Sequence, residues 1–465
     1  MNKPPACRGC PLFETSTEFV PDEVRAGSSV FIVGQNPGAE EAAQGRPFVG
    51  KTGQMMESKY LRDAGLTRDD VSIGNALRCR WRGTNELPPI TQTITKDALK
   101  HCWAAHGRIP DGTRLIVAQG NYAAVTLTGG TVSDGDKSTG WRGYLRPLRG
   151  RPVYSMAEPW VPHSGDLPVL LTVHLARLFR EPWYTLPTRL DWAKIPRILA
   201  HTWPRQPPTF NLTPPEEWPS AFAFDTEFWH EEGTAPTSAR LIRWSASWGT
   251  GDGETCVVEA ADGARAPSRA TSTRSRVITQ YAPADVHHLA RLTGTTWAIA
   301  QSGRTASATA PLRPHRSEST GTTSDAGLTP AGPLFPYGPS ARFARDAGPP
   351  ALSSVWDAFN IEDTVWKHAV LWSDHPHDLN YLGSLYSSFN RWKHLANTDP
   401  ILYSGLDAVG LLECDRSLER ELDADPQSRS VWETIDRPAL GEFVRAQYRG
   451  LRTNPQRVNE VVTML

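Results

Sequence analysis

The sequence predicts an α/β protein in two units: a three-layer αβα unit on a parallel sheet over residues 1–202, then a second, disrupted α/β unit over 220–412. Three observations predict it. Apolar runs of strand length alternate with amphipathic stretches through the first 200 residues, the rhythm of a parallel sheet covered by helices on both faces. The stretch WPRQPPTFNLTPPEEWP (203–219) is proline-rich, breaks that rhythm and reads as a linker. Beyond it AFAFDTEFW (221–229) opens a new strand pattern, which is lost over 263–354 in a run rich in Arg, Ser, Thr, Ala and Pro. A chain of 465 residues has room for two or three domains.

In order, SSVFIVG (28–34) reads as a buried strand and GQMMESKYLRDAGL (53–66) as an amphipathic helix. DVSIGNAL (70–77) is the second strand, followed by the helical ITKDALKHCWAAHGRI (94–109). TRLIVAQG (113–120) is the third, followed by NYAAVTLTG (121–129), and LPVLLTVH (167–174) is the fourth, leading into LARLFREPW (175–183). In such sheets ligands bind outside the carboxyl ends of the strands. Those ends carry Gln35 and Asn36, then Asn75, then Gly120, then His174, so hydrogen-bonding groups converge on one edge. The segment GQNPGAEEAAQGRPFVG (34–50) is too rich in glycine and proline for regular helix or strand. Its one large aromatic, Phe48, is placed to stack on a planar ligand. The convergence predicts a pocket for a base.

The formal charge of -1 gives no global attraction for nucleic acid, so DNA binding must come from local patches. RCRWRG (78–83), basic with an aromatic inside, is either such a phosphate-contacting surface or an ordinary solvated loop. The start MNKPPACRGC has no apolar signal region, and no apolar run approaches membrane-spanning length. The chain is therefore expected to be soluble and cytoplasmic, with no membrane partner. Its six cysteines form no secreted disulfide framework. Cys7 and Cys10 are a Cys-x-x-Cys pair, while Cys79 and Cys102 follow the second strand and are expected on the next helix. Four thiolates brought together hold zinc or a [4Fe–4S] cluster, with His101 as a competing ligand; spacing leaves the metal open.

GQNPGAEEAAQGRPFVGKTGQ (34–54), NALRC (75–79) and HLARLFR (174–180), with the four placed cysteines, resemble family 4 uracil-DNA glycosylases over most of residues 7–180. The resemblance implies excision of uracil from single- or double-stranded DNA by hydrolysis of the N-glycosidic bond, in base excision repair. It implies a [4Fe–4S] cluster on Cys7, Cys10, Cys79 and Cys102. It also implies that Phe48 stacks on a flipped uracil beside Gln35, that Asn75 reads its amide edge, and that His174 donates to the uracil O2. An enzyme acting on a base must extrude it into a pocket, and a uracil anion calls for fixed donors in a dry site. Two departures stand out. Gly34-Gln35-Asn36-Pro37-Gly38 replaces a loop that in family 4 resembles Gly-Glu-Ala-Pro-Gly. An asparagine before Pro-Gly is similar to the mismatch-specific and single-strand-selective glycosylases, where it positions the attacking water. Asn36 is the expected residue for that role, with Glu41, which matches the family 4 loop acid, as the second candidate. An amide is a weak base, so the expected mechanism is dissociative. In the histidine motif Leu175 stands where a proline is usual, which implies a relaxed loop.

In the second half, Asp225 and Glu227 lie two apart on one strand and so share a face. In LYSGLDAVGLLE (402–413) Tyr403 and Asp407 share a helix face at i,i+4. Acids so placed hold divalent ions such as Mg²⁺ or Mn²⁺, and two-metal phosphodiester hydrolysis adds a tyrosine to orient water. The Asp-x-Glu opening and Tyr-x3-Asp ending resemble the proofreading 3′–5′ exonuclease domain of family A DNA polymerases, which implies an RNase H-like fold. FNIEDTVWKHAVLWSDHPHDLNYLGSLY (359–386) resembles the region before the last motif, with Asp363 at the place of a structural aspartate. VWETIDRPALGEFVRAQYRGLR (431–452) is similar to the helix that begins the polymerase portion, so 413–465 reads as a truncated polymerase region without polymerase activity. The stretch 263–354 has no sustained periodicity and is expected to be disordered. It occupies the place of the family's second strand-and-helix unit and third catalytic aspartate. It is either an insertion or the product of two compensating frame shifts, and on both accounts exonuclease activity is expected to be lost.

These readings combine into a prokaryotic or phage-encoded uracil-excising enzyme fused to a degenerate exonuclease domain, acting on uracil-containing DNA beside a replicating DNA polymerase. Two alternatives stay open: a non-catalytic DNA-binding accessory protein of replication, and an exonuclease with an inactive glycosylase domain.

Overall fold

The structure, a computed structural model, describes residues 3–128, 145–147, 167–229, 240–249, 254–260, 275–293 and 355–449. The strands of the first half are β1 (Ser16–Phe19), β2 (Val30–Gly34), β3 (Val71–Asn75), β4 (Cys79–Trp81), β5 (Leu115–Gln119), β6 (Leu145–Pro147) and β7 (Pro168–Thr172). Its helices are α1 (Ala39–Gln44), α2 (Lys51–Met55, continued by a π-helical turn over Met56–Leu61), α3 (Thr93–His106), α4 (Gly120–Thr128), α5 (Thr185–Trp192) and α6 (Lys194–Leu199). Five strands form one sheet in the order β3-β2-β5-β7-β6, parallel except at the β6 edge. A separate two-stranded sheet pairs β1 with β4.

The alternation of side chains along each strand builds the two cores. Val30, Ile32, Ile73, Leu115, Val117 and Leu170 pack on one face with Met56, Tyr60, Trp192 and Ile195. Phe31, Val33, Ile116, Ala118, Val169 and Leu171 pack on the other with Ala98, Leu99, Ala123 and Leu127. Each such aliphatic side chain contributes about 1.5–3 kcal/mol when fully buried. A strand buried on both faces reads as one apolar run, which is why these were visible in the sequence. β2 lies between β3 and β5: the chain crosses from β2 to β3 on one side, and the next crossover, from β3, returns past β2 to β5 on the other. The carboxyl ends of β2 and β5 therefore flank the switch point where a crevice opens.

The second half carries β8 (Ala221–Trp229), β9 (Arg240–Trp248), β10 (Thr255–Glu259), β11 (Ser275–Thr279) and β12 (Phe359–Asp363). They form a mixed sheet in the order β10-β9-β8-β11-β12, with β8, β11 and β12 parallel and β9 antiparallel to β8 and β10. Its helices are α7 (Ala282–Thr293), α8 (Val355–Ala358), α9 (Thr364–Leu371), α10 (Leu379–Tyr386), α11 (Pro400–Ala424), α12 (Pro426–Val431) and α13 (Arg437–Arg449). Phe222 and Phe224 face a core with Val286, Leu289, Leu440 and Val444. Ala223 and Ile278 face the opposite core, with Leu382, Leu406 and Val409. Among the described residues no helix is long and apolar enough to cross a membrane.

Several sequence expectations are corrected here. The segment 34–50 is not wholly irregular: between Gly38 and the left-handed Gly45, AEEAAQ closes into α1. Cys79 lies on β4, not on the helix that carries Cys102. The stretch 203–219 is no free linker. Trp203 and Trp218 are buried, the Arg205 amide donates to the Ser388 carbonyl (2.7 Å), and Asn211 bridges to Cys256. Within 263–354, residues 275–279 form β11, hydrogen-bonded between β8 and β12, and 282–293 form α7 with most of its residues buried. Five residues paired on both edges need no long apolar run, so composition hid them. The expected boundary at 412/413 falls inside α11. Residues 263–274, 294–354 and 450–465 lie outside the described residues.

Candidate active site

The carboxyl ends of β2, β3, β5 and β7 surround a cavity of about 850 Å³ lined by Gln35, Asn36, Phe48, Asn75, Gly120 and His174, among others. All the pocket residues expected from the sequence are thus brought together on one wall or rim, Glu41 included. The loop that carries Phe48 is held from both sides. The Glu41 carboxylate accepts from the Val49 and Gly50 amides through Oε1 (3.0 and 2.8 Å) and from the Gly38 amide through Oε2 (3.0 Å). Arg68 donates from Nη1 to the Phe48 carbonyl (2.9 Å) and from Nη2 to the Pro47 carbonyl (2.6 Å). Arg68 is itself fixed by Glu23 (2.8 Å) and Glu57 (2.6 Å). Burial pushes the Glu23 carboxyl up, but hydrogen bonds from Arg68 and Arg46 outweigh it and hold it at about 2.

So held, Phe48 adopts φ 53°, a left-handed conformation rare for a bulky residue. Two glycines make room for it. A Cβ at Gly34 would lie 2.5 Å from Phe48 Cζ and 2.7 Å from Asn75 Oδ1; one at Gly53 would lie 1.8 Å from the Phe48 carbonyl oxygen. Gly120, at φ 85°, does the same for His174, whose Cβ a side chain there would meet at 3.0 Å. The Phe48 and His174 rings are inclined at 27° with centroids 6.2 Å apart.

His174 caps the 3₁₀ turn Leu175–Phe179, its Nδ1 accepting from the Ala176 amide (3.2 Å). A neutral imidazole whose Nδ1 accepts carries its proton on Nε2, so the free edge is a donor. Burial first, then the Arg180 charge, push this imidazole down to about 4, against an opposing pull from Glu41. Asn75 is buried at the end of β3. Asn36 is half-buried, and its Nδ2 donates to the Pro37 carbonyl (3.1 Å), which leaves Oδ1 as the outward acceptor. Leu175 is fully buried in the core, while Phe179 at the cavity rim is 57 % exposed. Sequence reasoning missed Arg68, whose only signal was its place just before the second strand.

The four expected thiols gather at the other end of β4 and α3. Burial, then the nearby Cys102, raises Cys7; burial is also the largest effect on Cys10 and Cys79, and Cys102 raises both further. The Arg78 amide donates to Cys102 Sγ (3.4 Å). His101 Nε2 donates to the Ala6 carbonyl (3.0 Å), which leaves Nδ1 as its ring acceptor. The unforeseen neighbour is His106, with Nε2 3.1 Å from Cys7 Sγ. Of the expected phosphate-contacting run, Arg78 is 1 % exposed and paired bidentately with Asp22 (2.9 and 2.6 Å). It is unavailable to DNA, whereas Arg82 is exposed and lies over the Trp81 ring.

On the second sheet, carboxylate oxygens of Asp225, Glu227 and Asp407 lie within 4.8 Å of one another. Tyr403 sits beside them, its hydroxyl 3.4 Å from Lys393 Nζ. A fourth acid, Asp285 of α7, is buried next to them and accepts from Thr226 Oγ1 (2.7 Å). Burial, then Asp407 and Asp285, push the Asp225 carboxyl well above its usual range. Asp285 is an acid in the stretch where the sequence showed none in a suitable setting, but it lies outside the group of carboxylates within 4.8 Å of one another. Its only signal was an aspartate in the first turn of a helix after a short strand. Asp363 instead caps α9, accepting from the Val365 and Trp366 amides (2.8 and 3.3 Å). Another trio, Glu362, Asp415 and Glu419, is also close-set. It is already neutralised by Lys367, Arg276, Arg429 and Arg437.

Residues 21–189 match the Uracil DNA glycosylase superfamily. The type-4 uracil-DNA glycosylase of Thermotoga maritima is 36% identical over 180 residues, covering 38% of this chain and 79% of that protein. That of Archaeoglobus fulgidus is 34% identical over 121 residues, covering 26% of this chain and 57% of the relative, little more than half its length. The chain belongs, through its N-terminal part, to the type-4 uracil-DNA glycosylases. Among solved structures, Brucella melitensis NrnC with bound Mg²⁺ overlaps with a TM-score of 0.29 at 15% identity, covering 51% of this chain and 90% of that one; a likeness of that size carries no argument.

Two outcomes follow from this geometry. Arg68→Met should lower stability by about 1.5–3 kcal/mol, the range for hydrogen bonds to charged groups. Amide exchange at Val49 and Gly50 should rise about tenfold as the loop loosens; unchanged exchange would show that Arg68 does not hold Phe48. For His174, the unfolded chain binds a proton from pH 6.5 and the folded one only near 4. Its burial therefore lowers stability progressively as pH falls between those values and does nothing above them. Compared with His174→Asn, the wild type should lose more melting temperature between pH 6.5 and 4, and the two curves should run parallel at higher pH.

Proposed function

We propose that the N-terminal unit excises uracil from DNA by hydrolysing the N-glycosidic bond, a step of base excision repair. The observation that carries this is the cavity in which a left-handed Phe48 faces a neutral His174 with its donor edge free. An extruded uracil would stack on Phe48, and the Asn75 amide offers the donor and acceptor that complement the uracil O4 and N3–H. His174 Nε2–H would stabilise charge developing on O2. Asn36 Oδ1 is the acceptor suited to hold the attacking water. Glu41 has both oxygens engaged with backbone amides, which supports a part in shaping the loop rather than in proton transfer. Exposed Phe179 is suited to fill the gap left in the stack, as apolar wedges do.

The thiol set fits an iron–sulfur cluster better than zinc. Among the described residues only carboxylate trios bring three ligand atoms within 4.8 Å. No three thiols approach as closely as in a zinc tetrahedron, whose 2.3 Å bonds place sulfurs about 3.8 Å apart. The Arg78 amide on Cys102 is the kind of donor that cluster sulfurs receive. A cluster on Cys7, Cys10, Cys79 and Cys102 would tie the N-terminal turn to β4 and α3, and its contribution there is architectural. With this reading go a cytoplasmic location and a replicating DNA polymerase as partner, the latter resting on the resemblance of the second half alone.

A second reading is favoured by one observation: Asp225, Glu227 and Asp407 converge beside Tyr403 on a mixed sheet, with Asp285 acting electrostatically on Asp225. This supports an RNase H-like unit over 220–412 that keeps the acids for a divalent cation and 3′–5′ exonuclease chemistry.

Purified protein should convert uracil-containing oligonucleotide to alkali-labile abasic sites. His174→Ala should slow this by about 10²–10³, the usual loss on removing one oxyanion donor. Asn75→Asp should weaken uracil recognition by putting an acceptor against O4. Normal uracil release by both variants would place the reaction elsewhere. Anaerobically purified protein should be brown, and Cys102→Ser should lose the colour together with melting temperature, because metal-binding energy is partly folding energy. Colourless protein with one zinc per chain would overturn the cluster.

A further inference from the structure

The second acidic site contains a cation of its own. Lys393 Nζ lies 2.7 Å from both oxygens of Asp407 and 3.4 Å from the Tyr403 hydroxyl, over the Tyr403 ring. The preceding residue, Trp392, donates from Nε1 to Asp407 Oδ1 (2.6 Å). This placement is built into the fold. The Trp392 ring fits a slot between α10 and α11 where a Cβ at Gly383 would come within 2.4 Å of it and one at Gly410 within 2.9 Å. With the indole fixed, the adjacent lysine is directed at the same carboxylate. Its charge also acts on Asp225 and Glu227. Asp225 Oδ2, in the same cluster, is buried and has no hydrogen-bond partner among the described residues.

We propose that Lys393 stands in for one of two metal ions, so that Asp225, Glu227 and Asp407 take a single divalent cation, seated on the Asp225–Glu227 side. The inference rests on reading these acids as a divalent-cation site. Electrostatics supports it. Three close-set carboxylates and one ammonium carry a formal charge of about −2, which one divalent ion neutralises and a second would turn to +2. Without the ammonium, one ion would leave −1 and a second ion would bring the site only to +1. Geometry supports it too, because Asp407 already accepts three N–H bonds from Trp392 and Lys393 and has little left for a bridging role. The hard oxygen ligands suit Mg²⁺ or Mn²⁺. The neighbouring trio of Glu362, Asp415 and Glu419 has its charges matched by Lys367, Arg276, Arg429 and Arg437 and offers no competing site.

The test is Mn²⁺ stoichiometry on the full chain, read by electron paramagnetic resonance, with circular dichroism to confirm folding. Wild type should bind one Mn²⁺ with the spectrum of an isolated ion. Lys393→Met should bind two, and their signals should be coupled, since paired ions in such sites lie about 4 Å apart. Lys393→Gln, whose amide still donates to Asp407, is a second neutral variant with the same expected count, and Lys393→Arg should stay at one. Asp225→Asn should remove the wild-type ion. Two ions in the wild type, or one in folded Lys393→Met and Lys393→Gln, would overturn the role of Lys393 while leaving the cation site standing. No bound ion in wild type or either neutral variant would overturn the site itself.

Discussion

The first pocket depends on one loop being held by two opposite charges. Glu41 gathers the amides of Gly38, Val49 and Gly50, and Arg68 gathers the carbonyls of Pro47 and Phe48. A non-glycine residue at positive φ costs about 1–3 kcal/mol and persists only where its surroundings over-determine it. Here hydrogen bonds to charged groups, each contributing about 1.5–3 kcal/mol, act on the peptides at Phe48. Gly34 and Gly53 are the matching absences, since a methyl at either would collide with the ring or its carbonyl. The aromatic platform is therefore fixed before any ligand arrives, and with it the separation from His174. Because Arg68 is anchored by Glu23 and Glu57, the clamp reaches back to residues far from the cavity.

Charge balance separates structure from site in the second half. The two close-set carboxylate trios look alike by distance alone. One is threaded by a fully buried lysine and several arginines, so its acids hold α9, α11 and β12 together. Breaking such a network would leave uncompensated buried charge, which is why it reads as architecture. The other has three acids facing one ammonium. A surplus of buried negative charge is unfavourable unless something neutralises it, and that surplus, rather than the acids themselves, marks a place for an external cation.

The parts legible in the sequence were those set by local pattern and topology. The five-residue cores of β2, β3, β5 and β7 are apolar because both faces are covered, and the residues just past them had to share one edge. That reasoning located Asn75, Gly120 and His174 without knowledge of distant contacts. What it could not see were partners supplied from afar. Arg78 looked like a phosphate ligand because Asp22, 56 residues away, was not known to bind it. Pro-rich composition concealed that Trp203 and Trp218 anchor the connection in two cores. β11 and Asp285 were invisible because a short strand paired on both edges takes its stability from neighbours, not from its own apolar length. Asp285 then becomes recognisable only through Thr226 and Asp225 on the adjacent strand.

The two sites answer opposite electrostatic demands. In the first, a ring held neutral by burial donates a hydrogen bond, and the acid nearest the cavity spends both oxygens on backbone amides. Lys51, Arg177 and Arg180 line the rim and offset the exposed carboxylates of Glu40 and Glu86. In the second, cation binding requires acids, and an unbalanced group of three would repel other anions over roughly a Debye length of 8 Å. An internal ammonium at Lys393 lessens that repulsion permanently, whether or not a metal is present. A permanent cation cannot adjust its position or ligands as a second metal would, so the cluster exchanges part of its capacity for two ions for a lower net charge.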